Sequence, residues 1–293
     1  MSSWPPETVE VEVIIPVFND PERLNRCLLA LAQQSASMDC FAVTVVDNGS
    51  DRMPELPPLP YAVRLLQCLQ PGSYAARNTA LAASRTSLLA FTDADCLPAP
   101  NWIEVGLAKA KPHQLLAGAV RMRPRCEVTP SSADRYELLF GMQQQHYVRA
   151  GGFGITANLW VPRAVVDQIG PFNAVLKSGG DREFCQRARA QGWCVTYAAT
   201  CLVEHPARTR EELLRKARRL LGGRLDRAGS SPTRRWLAVA LHLKPIMREL
   251  WIVALGPLPW PSKRALLALV IELRVEALRE WLHLTVVQGE TCR

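Results

Sequence analysis

Nine cysteines are present in 293 residues, yet no two of them form a C-x-x-C pair. An odd, scattered set of thiols indicates neither a disulfide framework nor a zinc site, and it fits a reducing compartment. Long apolar runs are also missing. Lys244, Arg248 and Glu249 break one C-terminal candidate and Glu272, Arg274 and Glu276 the other, so neither is expected to span a bilayer. Met1 to Glu7 carry neither a basic stretch nor an apolar one, which argues against secretion; the expected location is cytoplasmic, or peripheral on the cytoplasmic face of a membrane. No Gly-rich phosphate loop follows the first strand-like segment, which disfavours a nucleotidyltransferase.

What is present is a chain with 48% hydrophobic and 21% charged residues, enough for a large core with an appendage. The net charge is +8, and it is concentrated. Between Arg208 and Arg235 there are ten Lys or Arg against three Asp or Glu. That tract indicates an anionic partner. It lacks the interleaved aromatics that stack on bases, so nucleic acid is not an expected partner.

Val11 to Phe18 is a β-branched run that ends at a loop, and Pro21 to Gln34 then shows helical spacing through Leu24, Leu28 and Leu31. Phe41 to Val46 repeats the strand and stops at the turn formers Asp47-Asn48-Gly49-Ser50-Asp51. Val63–Leu66, Ser73–Ser84 and Ser87–Thr92 continue as strand, helix and strand. Such alternation predicts an α/β fold with a mostly parallel sheet and ligands beyond the carboxyl ends of its strands, where each polar cluster falls.

The sharpest feature is Leu88 to Cys96, an apolar strand that ends in Asp93 and Asp95, one residue apart. Carboxylates concentrated at a strand tip need a cation or strong donors nearby. A hard divalent ion, Mg²⁺ or Mn²⁺, suits carboxylate oxygens and keeps positions for substrate phosphates, which points to chemistry on a diphosphate. Residues i and i+2 of an extended strand share a face. Both carboxylates can therefore aim at one ion, or the first can take a ribose and the second the metal.

Ile15-Pro16-Val17-Phe18-Asn19, Val46-Asp47-Asn48-Gly49-Ser50, Gly72-Ser73-Tyr74-Ala75-Ala76-Arg77-Asn78, Asp93-Ala94-Asp95 and Gly179-Gly180-Asp181-Arg182-Glu183-Phe184 follow one another in this order. In that order they resemble family 2 glycosyltransferases of the GT-A fold, a Rossmann-like nucleotide-sugar-binding domain, over about Val9 to Arg208. The resemblance implies that Pro16, Phe18, Asn19 and Asp47 hold the base and ribose of a nucleotide-sugar donor. Local turn chemistry accounts for Asn19 and Asp47 as well. It further implies that Gly72, Arg77, Asn78 and Asp93 lie along the donor, that Asp95 is the more direct metal ligand, and that His205 stands beside the metal and diphosphate.

Asp181 is, on the same resemblance, the general base that deprotonates an acceptor hydroxyl, giving inversion in one displacement. Ser178-Gly179-Gly180-Asp181 also reads as a helix-capping sequence, and the two roles are compatible. Many relatives carry Glu-Asp here, and Gly180-Asp181 departs from that. Processive members carry Gln-x-x-Arg-Trp and flanking membrane spans. Here Pro232 precedes Arg235-Trp236 at the glutamine position, so the expectation is a non-processive enzyme of the hexosyltransferase type.

Three segments are thus expected: a catalytic domain over 9–208, a basic helix and hinge over 209–235 with Gly222-Gly223 and Gly229-Ser230-Ser231-Pro232 in the hinge, and an amphipathic helical extension over 236–293. Trp236 to Leu255 and Ala265 to Val287 read as its helices, separated by Gly256 to Pro261. Together with the basic tract they suit an anionic membrane face. A hairpin packed on the domain or on a second copy is the alternative. The functional expectation is an inverting, metal-dependent transfer from a nucleotide sugar to a glycan or lipid-linked acceptor, as in polysaccharide or glycolipid biosynthesis. The competing one is a catalytically inactive protein of the same fold that binds an anionic partner.

Overall fold

The structure is a computed structural model that describes residues 4–229 and 231–286. Its elements are β1 (Val11–Val17), α1 (Pro21–Leu31), β2 (Phe41–Asp47), β3 (Ala62–Gln67), α2 (Ser73–Ala83), β4 (Leu88–Thr92), β5 (Leu97–Pro98), α3 (Trp102–Lys109), β6 (Gln114–Arg123), α4 (Ser132–Phe140), α5 (Gln144–Gly151), β7 (Asn158–Pro162), α6 (Arg163–Ile169), α7 (Gly180–Ala190) and β8 (Cys194–Pro206). Four helices follow: α8 (Arg210–Ala228), α9 (Pro232–Leu243), α10 (Pro245–Leu255) and α11 (Trp260–Val286).

The chain forms two compact units. The first takes the residues up to Arg121, Gln143–Val175 and Gly180–His205; the second takes Met122–Met142, Leu176–Gly179 and the residues from Pro206 on.

The first unit is built on an eight-stranded sheet in the order β3-β2-β1-β4-β7-β6-β8-β5. β3, β2, β1 and β4 run parallel, while β7 is antiparallel to β4 and to β6, and β5 to β8. β1 and β2 are almost wholly buried, as β-branched strands covered on both faces should be. Their register sets Val17 beside Asp47 and Ile14 beside Phe91. The loops that leave β1, β2 and β4 therefore open on the same edge of the sheet, which is where a ligand site forms in such folds.

One polar residue lies deep in the parallel half. Glu12 is fully buried in β1, and its carboxylate accepts from Ser84, Thr86 and Arg64 and, in a short bond, from Thr44. That full set of donors is what lets a carboxylate stay in a core. On the antiparallel side, the rings of Trp102 and Trp160 pack 4.9 Å apart, and Trp102 Nε1 donates to Asn158 Oδ1 at 2.9 Å.

The second unit holds α4 and α8–α11. Ala133 of α4, Leu213 and Ala217 of α8, and Leu269 and Leu273 of α11 form one apolar cluster. Leu221, Leu225, Val239 and Ala277 form another. Two sequence expectations change here. Gly222 and Gly223 are not a hinge but lie inside α8, because the bare Cα of Gly223 lets Ser178 approach: a Cβ there would sit 2.2 Å from Ser178 Oγ. Trp236 to Leu255 is not one helix but two, since Pro245 opens α10 in its first turn, where its missing N–H costs nothing. On α11, Glu276 and Glu280 are buried. Ser230 and Val287 lie outside the described residues.

Candidate active site

Three loops at the carboxyl edge are tied together. Asn19 takes a left-handed backbone, φ +50°, and its N–H donates to Ser50 Oγ at 2.8 Å while Asp51 N–H donates back to Asn19 Oδ1 at 2.9 Å. Asp47 is buried, and its carboxylate accepts the amides of Gly49 and Ser50, each at 3.2 Å. Asn48 extends the tie to the next loop, where its Oδ1 accepts Gly72 N–H at 2.7 Å and its amide donates to Cys68 and Gln70 carbonyls. Asp47 and Asn19 thus shape turns, whatever else they bind. Between them Pro16 is half-buried, and Phe18 presents an exposed ring.

Gly72 opens α2 with φ +117°, a conformation natural to glycine. One turn on, Arg77 and Asn78 behave differently. Asn78 is engaged with backbone, donating to Phe172 O at 2.7 Å and accepting Phe172 N–H at 2.9 Å. Arg77 is 3% exposed, and its Nη2 meets Asp93 Oδ1 at 2.5 Å. A guanidinium this deeply placed requires a counter-charge, and Asp93 supplies it.

Beyond β4 the chain turns tightly, with Cys96 N–H donating to Asp93 O at 3.0 Å. The turn leaves Asp95 partly exposed, 3.2 Å from Nε2 of His205, which stands near the end of β8 and is 1% exposed. Asp93, Asp95, Cys96 and His205 each offer one ligand atom, and these atoms lie within 4.8 Å of one another. Burial raises the Cys96 thiol well above its ordinary pKa, and the charges of Asp95 and Asp93 push it the same way. Its Sγ donates to Ala157 O at 3.8 Å, and soft sulfur is not what a hard ion selects. What is left, two carboxylates and an imidazole with open positions, matches the donor set of an Mn²⁺ or Mg²⁺ site that shares its ion with phosphate oxygens.

The last predicted residue opens α7. A side chain from α2 meets the first amides of this helix. Gly180 N–H donates to Tyr74 Oη at 3.0 Å and Asp181 N–H to the same oxygen at 3.4 Å. Gly180 is required there, because a Cβ would lie 2.6 Å from the Tyr74 ring. The glutamate of Glu-Asp at this position would meet the same ring. Asp181 Oδ1 accepts Thr156 Oγ1 at 3.0 Å. Burial raises the Asp181 carboxyl above the ordinary carboxylate range, Arg77 works against that rise and Asp93 adds to it.

Arg77 therefore sits in the field of both acidic centres, paired to Asp93 and acting on Asp181. Tyr74 and Thr156 were missed by sequence reasoning. Tyr74 falls inside a quoted motif, but its partner is 106 residues away, and Thr156 belongs to no motif.

Comparison with known proteins fits this geometry. The profile of the family described as Glycosyl transferase family 2 matches residues 12–178. Glycosyltransferase AglE of Haloferax volcanii is 34% identical over 260 residues, which cover 86% of this chain and 82% of that protein. The Pre-mycofactocin glycosyltransferase of Mycobacterium tuberculosis is 30% identical over 72% of this chain but 46% of its own length, so the chain spans about half of that relative.

Among solved structures, mannosyltransferase PcManGT from Pyrobaculum calidifontis, in complex with GDP-Man and Mn²⁺, aligns with a TM-score of 0.56 at 20% identity, over 92% of this chain and 87% of that one. TarS 1-349 of S. aureus, in complex with UDP, gives 0.51 at 16% identity, over 97% and 93%. At such identities these two likenesses speak for the GT-A-like fold alone. The profile and the archaeal relative go further: by them this chain is a glycosyltransferase and belongs to glycosyl transferase family 2.

Proposed function

We propose that this enzyme transfers one sugar from a nucleotide-sugar donor to a hydroxyl of a glycan or lipid-linked acceptor, with inversion at the anomeric carbon and with Mn²⁺ or Mg²⁺ as cofactor. The observation that carries the reading is the convergence of Asp95, Asp93 and His205 on one small volume at the carboxyl edge of the sheet. Support by analogy comes from the neighbouring folds, one of which was determined with GDP-Man and Mn²⁺ and another with UDP.

Asp95 and His205 would hold the cation, with the second oxygen of Asp93 beside them. Once bound, the ion offsets charge that grows on the leaving diphosphate, a contribution of several kcal/mol. The protein's own residues do the rest. The clasped loops at Asn19 and Asp47, with the open ring of Phe18, receive the nucleoside. Arg77 fixes the orientation of Asp93. Thr156 holds one oxygen of Asp181, leaving the other to take the proton of the acceptor hydroxyl as the hydroxyl oxygen attacks the anomeric carbon and the nucleoside diphosphate departs. A lipid-linked acceptor would bring the enzyme to a membrane surface.

A thermal-shift screen of nucleotide sugars with and without Mn²⁺ identifies the donor, because a ligand of the native state raises the melting temperature. Proton NMR of the first product formed from that donor then reads the new anomeric centre. The expected configuration is opposite to the donor's, and a retained configuration would overturn the role given to Asp181.

A further inference from the structure

The basic tract loses much of its availability on folding. Within the second unit, Arg208 and Lys216 bind Glu137 at 2.7 and 3.2 Å, Arg210 and Arg218 pair with Glu272 and Glu276 of α11, and Arg227 donates to Ser178 O at 2.6 Å. A cationic surface occurs instead from the last two arginines of that tract onward.

From Pro232 to Ile271 the chain has six cations, Arg234, Arg235, Lys244, Arg248, Lys263 and Arg264, against one acid, Glu249. That acid faces inward: Glu249 is 8% exposed, and it pairs with Arg274 and accepts from Tyr136. Among the described residues Arg234, Arg235, Lys244 and Arg264 form no ion pair, so the outer face of this segment is of one sign.

The same face is apolar where it is not charged. Trp236, Leu241, Met247, Trp251, Leu255 and Trp260 are each more than half exposed. In α10 the apolar members recur at every fourth residue, Met247, Trp251 and Leu255, forming one stripe. Lys244 and Arg248, also four apart, form the stripe beside it. Singly exposed hydrophobics need no explanation, but an unbroken exposed stripe beside a stripe of cations does. No described helix is long and apolar enough to cross a membrane.

We propose that the outer face of α10, continued by Trp260 at the start of α11, is an interfacial docking surface for an anionic lipid bilayer. Its aromatic and aliphatic side chains enter the headgroup boundary, and its cations meet lipid phosphates. Indole suits that boundary, with a large apolar body and one polar N–H. The charge pattern selects this occupant over a second copy of the chain. A twofold contact through this patch would set like charges against each other, whereas an anionic surface neutralises them. The inference does not depend on the donor site and stands or falls separately from it.

The test is vesicle flotation of the full chain, with phosphatidylcholine alone and with roughly a third phosphatidylglycerol added. Wild type is expected to float with the anionic vesicles at least about tenfold more than with neutral ones, to release them as salt rises, and to shift its tryptophan emission to the blue. Met247→Glu/Trp251→Glu and, separately, Lys244→Gln/Arg248→Gln should each lower flotation by about tenfold while melting and donor binding stay unchanged. Equal flotation by either variant and wild type, or no preference for anionic vesicles, would overturn the proposal. So would a dimer in sedimentation that the first variant disrupts, since the face would then belong to a second copy.

Discussion

Replacing Asp181 by Asn separates what this residue does for catalysis from what it does to the fold. The side chain keeps its shape, and its Oδ1 can still accept from Thr156 Oγ1, which lies 3.0 Å from that atom in the wild type. Only the proton acceptor is removed. A positioned general base contributes about 10²–10⁴-fold, so kcat at saturating donor and acceptor should fall by that factor, which is about 3–5 kcal/mol at 1.36 kcal/mol per decade.

Stability should move the other way. Burial raises the Asp181 pKa in the folded protein, so the folded state binds a proton more tightly than the unfolded chain does. Wild-type stability therefore falls as pH rises from the ordinary Asp value of about 3.9 through the higher folded value, and the deficit is complete above it. The Asn variant does not titrate. It should melt at or above the wild-type temperature at pH 8, and the difference should shrink as pH falls toward the unfolded value.

Thr156→Val gives the companion measurement. Loss of that hydrogen bond removes a contribution that lowers the Asp181 pKa, so the acid limb of the pH–kcat profile should move to higher pH. The assays are initial rates and melting curves over the same pH series. An Asn variant that keeps wild-type kcat, or one that loses both activity and stability at pH 8, would refute the reasoning.

Three other substitutions probe the supporting structure. Gly180→Ala places a methyl group 2.6 Å from the Tyr74 ring; it should cost about 1–3 kcal/mol in chemical denaturation and reduce kcat by moving Asp181. Glu137→Gln leaves Arg208 and Lys216 without their shared buried carboxylate and should cost about 3–5 kcal/mol at pH 7. Two cations hold Glu137 below the ordinary range despite its burial. Its contribution is accordingly present above the unfolded glutamate value and lost as pH falls through the folded one, so the two proteins should converge in acid. Cys96→Ala should leave the Mn²⁺ dependence of activity unchanged, measured as the half-saturating Mn²⁺ concentration, because that thiol is engaged with Ala157 O and a hard ion selects oxygen over sulfur. A large rise in that concentration would make Cys96 a ligand.

Much of this enzyme could be read along the chain because its signals are local. β1, β2 and β4 are β-branched or apolar runs ended by turn formers, and the acids at 93 and 95 announce themselves by lying one residue apart at a strand end. The alternation of strand and helix indicated the α/β class, and the resemblance carried by the five ordered motifs indicated the GT-A-like architecture that is present.

What escaped depends on partners far away in sequence. Tyr74 accepts the amides that open α7, and Thr156 holds Asp181, but nothing within ten residues of either marks the contact. Gly223 reads as flexible until Ser178 is seen against it. The cations of α8 look like one charged face until Glu137, Glu272 and Glu276 are brought to them by packing. Composition records how many charges a segment has, and only the fold decides which of them water or a ligand can reach.

The central claim is that Asp95, with Asp93 and His205, holds a divalent ion against the donor's diphosphate. Crystals of the full chain soaked with Mn²⁺ and the nucleoside diphosphate of the donor found by the screen, measured at the manganese edge, test it most directly. The account predicts an anomalous peak in contact with the Asp95 carboxylate and the nucleotide's phosphates, with His205 Nε2 adjacent. Clear density for the nucleotide with no such peak at Asp95, or a peak bound through other residues, would contradict it.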